Sequence, residues 1–163
     1  MSVDTIVKYG NELLQKPTEP VKEINDEIRQ LISRMYQIMA EASGVGLAAN
    51  QIGIPKRLFV YDVGEGPHAL INPKLVKSSG AQIGVEGCLS VPGLQGEVAR
   101  ANLVVVVGLD ENGEPVKIKA DGLLARVFQH ETDHLDGHLF IEKADPDTLE
   151  LIKPDAETEE QEL

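Results

Sequence analysis

Five residues constrain this chain more than any others: His130-Glu131-Thr132-Asp133-His134. Two imidazoles four residues apart share one face of a helix, one turn from each other. Both rings can then reach a single metal ion, and Glu131 can reach a water beside it, the H-E-x-x-H arrangement of metal-dependent hydrolases. Leu124, Val127 and Phe128 fall on or near the same side, so the helix is expected inside the core, with its histidine pair. Two ligands leave a divalent metal incompletely held, so a third must come from elsewhere.

The candidates are few. His138 continues the stripe, but it would stand roughly 12 Å from His130 along a helix, far beyond the reach of metal–nitrogen bonds of about 2.0–2.1 Å. Gly137 is also expected to end the helix before it. Where a metzincin would place a third histidine, this chain has Phe140. A downstream glutamate among Glu157 to Glu162 stays open by residue type, though a charged tail holds a ligand poorly. The chain's one cysteine is Cys88, in Glu86-Gly87-Cys88-Leu89-Ser90. Most lone cysteines are small buried apolar residues. Here Gly84, Gly87, Pro92 and Gly93 mark a constrained turn or strand end around it. A thiolate with two imidazoles and an open water position is a sound catalytic set.

The rest of the chain reads as an α+β domain. Asn25 to Ala42 has apolar residues at helical spacing (Ile28, Leu31, Ile32, Met35, Tyr36, Met39), with Asn25 as N-cap and Ser43-Gly44 as terminator. Leu58 to Tyr61 and Ala69 to Ile71 read as short strands. Leu103 to Leu109 is a β-branched run, and the turn Asp110-Glu111-Asn112-Gly113 returns it along Val116 to Lys119. Asp121-Gly122 opens the second helix. Antiparallel or mixed sheets are thus expected around a central metal-binding helix, with a long N-terminal helix. Gly44-Val45-Gly46 can end a helix or admit a close backbone approach. It is no phosphate loop, since no Lys-Ser/Thr follows. Arg100 can pair with Glu86 or Asp133 and brace the ligands, or form a plain surface ion pair.

Charge and composition exclude several classes. A net charge of −12 argues against nucleic-acid binding through a general phosphate field. No apolar run approaches the ~18 residues of a membrane span, and the start shows no signal-peptide pattern. One cysteine excludes an intrachain disulfide, and a thiolate ligand favours a reducing compartment. Asp155, Glu157, Glu159, Glu160 and Glu162 crowd the last ten residues without a basic partner. Residues 154–163 are therefore expected to form an acidic, disordered tail after a catalytic domain at 1–153.

Three segments, in order, resemble the motifs of the peptide deformylase family. They are Gly44-Val45-Gly46-Leu47-Ala48-Ala49-Asn50-Gln51, Glu86-Gly87-Cys88-Leu89-Ser90 and Gln129-His130-Glu131-Thr132-Asp133-His134-Leu135-Asp136-Gly137. The similarity runs from about Ile24 to Phe140. Arg126 departs from the pattern, standing where some members carry an apolar pocket residue. The resemblance implies removal of the formyl group from N-terminal formyl-methionine, releasing formate. It implies Cys88, His130 and His134 as ligands of one divalent metal, Fe(II) foremost, with zinc, nickel or cobalt in purified protein. It makes Glu131 the general base and gives the oxyanion to the Gln51 amide and the Leu89 backbone N–H. Substrate would lie extended between Val45-Gly46 and Gly87, its methionine side chain near Val45, Leu124, Val127 and His130. The implied partners are N-formylmethionyl nascent peptides in a bacterial-type cytoplasm or an organelle, with ribosome association open. Two rival readings are a zinc endopeptidase and a non-catalytic metal- or peptide-binding module.

Overall fold

A computed structural model describes residues 5–152. Residues 154–163, the expected acidic tail, lie outside the described residues, as do the glutamates considered as ligands.

The first long helix, α1, spans Asp26–Glu41. The Asn25 side chain caps it by accepting a hydrogen bond from the Ile28 N–H at 3.1 Å, and Asp26 and Glu27 complement the helix dipole in the first turn. Its buried stripe is Ile28, Leu31, Ile32, Met35, Ile38 and Met39. That stripe packs on Leu47, Leu58, Val60 and Ile71.

Those four belong to a five-stranded antiparallel sheet. Its strands are β1 (Gly46–Ala48), β2 (Leu58–Tyr61), β3 (His68–Ser79), β6 (Leu103–Leu109) and β7 (Pro115–Asp121), paired in that order. β3 runs well beyond the short 69–71 strand expected from sequence. The second helix, α2 (Gly122–Leu135), covers the opposite face, where Val127, Phe128 and Leu135 meet Phe59, Tyr61, Leu70, Val104 and Val106. Leu58 and Val60 face α1 while Phe59 and Tyr61 face α2, so β2 is buried on both sides. No helix among the described residues is long and apolar enough to cross a membrane.

A second sheet holds β4 (Gln82–Cys88), β5 (Val91–Arg100) and the short β8 (Glu150–Leu151), in the order β4-β5-β8. Sequence alone suggested only a turn or strand end near Cys88. The structure places Cys88 at the last position of β4, where a register shift between Gly87 and Cys88 bends the strand. A third apolar cluster, including Leu14, Val91, Val98, Leu139 and Phe140, packs around it. The fold is α+β: α2 lies inside, with the large sheet on one side and the end of β4 on the other.

Candidate active site

α2 delivers His130 and His134 from its buried face, and Gly137, at φ 86°, ends the run as expected. His138 is half exposed and bonds Glu142 instead. Phe140 is buried, its ring 6.2 Å from that of His130 and nearly parallel to it. It packs beneath the histidine rather than supplying a ligand.

Cys88, His130 and His134 converge. The two Nε2 atoms are 3.1 Å apart, and Cys88 Sγ lies 3.3 Å from His134 Nε2. All three donor atoms lie within 4.8 Å of one another, and all three side chains are buried. Metal bonds of about 2.0–2.3 Å in a tetrahedron predict edges of roughly 3.3–3.6 Å, close to this spacing. The tautomer agrees. His130 Nδ1 is 2.8 Å from Glu86 Oε1; a proton there leaves a lone pair on Nε2, aimed at the other two donors. Three donor atoms at this spacing form a group that could hold a metal ion.

Glu131 supplies a second sign. Its carboxylate is fully buried, and neither oxygen has a hydrogen-bond partner among the described residues. Oε2 stands 4.0 Å from His130 Nε2, on the side where the donors meet. Burial foremost, then the charges of Glu86 and Asp133, push this carboxyl well above its usual range, with Arg100 opposing. Burial, with His130 and Arg100, holds His134 well below the ordinary imidazole value, so its ring is neutral and able to ligate.

Glu86 is the hub behind the donors. Arg100 binds it in a two-pronged fork, Nε to Oε2 and Nη2 to Oε1, each 2.9 Å. Arg126 Nη1 donates to Oε2 as well. Burial works against its charge, but hydrogen bonds from Arg100 and His130, together with their charge, prevail and hold Glu86 well below the carboxylate range. Arg100 also reaches Asp133, which Lys143 Nζ meets at 3.0 Å. Arg100 therefore pairs with both carboxylates that sequence offered, and it is buried, so the plain surface pair does not apply. Counted as charged, Glu86, Glu131, Asp133 and a Cys88 thiolate exceed Arg100, Arg126 and Lys143 in number, so the site as a whole favours a cation.

The first glycine-rich segment closes the site. Gly46 opens β1, and a Cβ built there would lie 2.6 Å from Glu131 Oε2. Only a glycine lets the backbone rest on that carboxylate. Asn50 and Gln51 sit in a short helical turn, Ala49–Ile52. Gln51 Oε1 accepts from the Ala48 N–H at 2.9 Å, which aims Nε2 at Cys88 Sγ (3.6 Å) and Ser90 Oγ (3.1 Å). Asn50 Nδ2 donates to the His134 carbonyl at 2.6 Å. Leu89 follows Cys88 and is buried. β1 and β4 are edge strands of their sheets, so Val45-Gly46 and Gly87 can each offer backbone groups to an extended chain.

Val45 and Val127 are buried in one apolar cluster. Leu124, partly buried, packs against the same cluster. It lines a shallow surface depression with Leu103, Lys119, Ala120 and Asp121. Six residues before His130, it lies about 9 Å up the axis and roughly 120° around it. Leu123, seven residues before His130 and so in phase with it, is half exposed. The unexpected members are Glu86 as hub, Arg126 and Ser90. The pairing of an acidic Glu86 with two buried arginines was the one signal for the first two, and only partly readable.

Residues 3–150 match the family model described as polypeptide deformylase. A peptide deformylase of Carboxydothermus hydrogenoformans is 53 % identical over 145 residues, covering 89 % of this chain and 95 % of its own. One from Syntrophomonas wolfei is 51 % identical over 152 residues, covering 93 % of this chain and 100 % of its own. The crystal structure of peptide deformylase from Thermotoga maritima superposes with a TM-score of 0.85 at 41 % identity, covering 86 % of this chain and 97 % of its own. That of the Synechococcus elongatus enzyme in complex with actinonin gives 0.84 at 45 % identity, covering 86 % and 78 %.

Proposed function

From the premise that the chain belongs to the polypeptide deformylase family, and so is a metal-dependent hydrolase removing the N-terminal formyl group from nascent peptides, we propose how its own residues perform that reaction. Cys88, His130 and His134 hold the metal, which is Fe(II) in the cell, with zinc, nickel or cobalt able to replace it during purification. A divalent ion there supplies Lewis acidity, polarising the formyl carbonyl and making water acidic enough to attack near neutral pH. Glu131 accepts the proton of the attacking water and returns it to the methionine nitrogen as the C–N bond breaks, leaving formate and a free amine. The Gln51 amide, already aimed past Cys88, and the Leu89 backbone N–H hold the oxyanion.

The substrate backbone lies as an added strand between Val45-Gly46 and Gly87. Val127, close to His130 on the helix, supports the methionine pocket, with Val45 beside it. Glu86, through Arg100 and Arg126, positions His130. Residues 1–153 form the catalytic unit. The partners are formyl-methionyl nascent peptides in a cytoplasm of bacterial type, met at the ribosome.

The observation that carries this reading is the convergence of three metal donors beside a buried carboxylate with no hydrogen-bond partner among the described residues. The assay is hydrolysis of formyl-Met-Ala-Ser against acetyl-Met-Ala-Ser by anaerobically purified protein. The acetyl methyl presses on the walls near Gly46 and Cys88, and a misplacement of about 1 Å costs roughly 10²-fold. Acetyl peptide should therefore react at least ~10²-fold more slowly. Equal kcat/KM for the two would overturn the assignment in favour of a general aminoacylase.

A further inference from the structure

The two imidazoles of the site are served unequally by their surroundings. Glu86 takes the Nδ1 proton of His130. His134 meets Cys88 and His130 through Nε2, so Nδ1 is the nitrogen that carries its proton when Nε2 ligates a metal. A metal-bound imidazole nearly always donates that proton to a carboxylate, a carbonyl or a water. Yet His134 Nδ1 is buried without a hydrogen-bond partner among the described residues.

The complementary deficit lies on a residue that touches it. Asn50 is fully buried, and its Nδ2 donates to the His134 carbonyl at 2.6 Å. That contact fixes which end of the amide is nitrogen, because an oxygen there would face the lone pairs of the carbonyl. Asn50 Oδ1 is then an acceptor, and it too has no partner among the described residues. Two residues joined by one bond thus hold an unmet donor and an unmet acceptor. Thr132 Oγ1 is also unmet, but two positions along a helix place it about 200° around the axis from His134.

Capping the helix does not by itself account for Asn50. The His134 carbonyl already accepts from the Gly137 N–H at 3.0 Å. Thr18 serves the next carbonyl, that of Leu135, through its N–H and its hydroxyl, each at 2.8 Å. A buried amide with an unmet oxygen is costlier than an apolar residue of the same shape. Asn50 is also firmly placed. The Gly53 N–H closes the turn Ala49–Ile52 by donating to the Asn50 carbonyl at 3.1 Å, with Gly53 at φ 83°. The same turn aims Gln51 at Cys88 Sγ, so two successive residues face two of the three donors.

We propose that Asn50 is the positioning residue of His134. Its amide nitrogen holds the histidine backbone, and its amide oxygen receives the ring Nδ1 proton across one buried water. Ring plane and tautomer are then both set so that Nε2 points at the metal. The proposal rests on His134 being a metal ligand.

The test compares full-length, zinc-loaded enzyme with Asn50→Leu, Asn50→Asp and Thr18→Val. Zinc affinity is measured by competition with a chelator, and the histidine ring protons by heteronuclear NMR. Asn50→Leu should bind zinc about 10–100-fold more weakly. The Nδ1–H resonance of His134 should move upfield while that of His130 stays. Asn50→Asp keeps the acceptor and should hold zinc at least as tightly as the parent. Thr18→Val loosens the same helix end at Leu135 and should lower Tm without changing zinc affinity. Parent-like zinc affinity and ring resonances in Asn50→Leu overturn the proposal. So does an equal loss of zinc affinity in Thr18→Val, which would make Asn50 a brace of the helix end only. Should Asn50→Leu fail to fold, Asn50→Asp decides alone, and weaker zinc binding by it overturns the proposal. Failure of the parent to take up one zinc per chain would refute the metal-site reading itself, a result that no Asn50 variant can imitate.

Discussion

Replacing Arg126 with Met probes the hub behind the metal donors. The Arg126 side chain is 6 % exposed. Its Nη1 donates to Glu86 Oε2 and to the Val98 carbonyl at 3.1 Å, and its Nη2 reaches Gln82 Oε1 at 3.2 Å. One side chain on α2 therefore ties both β4 and β5 to the helix. Removing one partner of a buried ion pair costs about 3–5 kcal/mol when the other is left alone. Glu86 is not left alone here, because Arg100 and His130 still hold both oxygens. The loss is nearer one charge-assisted hydrogen bond, about 1.5–3 kcal/mol, plus weaker bonds to Val98 and Gln82. The aliphatic part of Met replaces the stem and recovers some packing. A deficit of about 2–3 kcal/mol follows, or roughly 5–10 °C in Tm for a domain of this size. Urea denaturation followed by circular dichroism, with both proteins stripped of metal, measures it. Metal content is a poor readout, because losing a cation strengthens attraction for the metal while a looser His130 weakens it. An Arg126→Met protein as stable as the parent would refute the reasoning. It would show that Arg100 alone satisfies Glu86 and that desolvating the second guanidinium cancels its bonds.

Glu131→Gln keeps the shape of the side chain and removes the base, so it should retain one metal by elemental analysis while turnover collapses; loss of metal with the fold intact would make Glu131 a ligand. Gln51→Ala should lower kcat by about 10²–10³, the usual cost of an oxyanion donor; an unchanged kcat with raised KM would show that Gln51 only binds substrate. Gly46→Ala places a methyl against the Glu131 carboxylate and should depress kcat strongly with little change in metal content; parent-like kcat would mean that the carboxylate moves aside without consequence.

The elements legible in the sequence are those whose residues solve a local problem. Asn25 caps α1 within one turn, and the valines of β6 return through Asp110-Gly113 to β7, so both could be read from neighbours alone. β4 and β5 could not. Gly84, Gly87, Pro92, Gly93 and Gly96 break any apolar alternation there, and these strands are held by each other and by Arg126 rather than by their own pattern. The metal donors were legible because HExxH encodes its geometry in spacing. Glu86 was legible only as a partner for Arg100. Its contacts come from position 100 on β5 and from positions 126 and 130 on α2, and no spacing rule announces that junction. Leu124 was expected at the methionine pocket, yet apolar character along a helix does not say which of two faces a residue serves.

Cys88 and His134 are 46 residues apart in the chain, and a single bound cation would join them. In a molecule whose lone cysteine can form no internal disulfide, that ion takes over the role of a covalent staple. Closing a loop of this length in the unfolded chain is worth about 4 kcal/mol by the chain-entropy estimate used for disulfides. Oxidising the Cys88 sulfur would then cut a cross-link as well as a ligand. The β4-β5 sheet would lose one of its ties to α2, leaving those of Arg126, Arg100 and Glu86, and an oxidised enzyme should be not merely silent but easier to unfold and to digest.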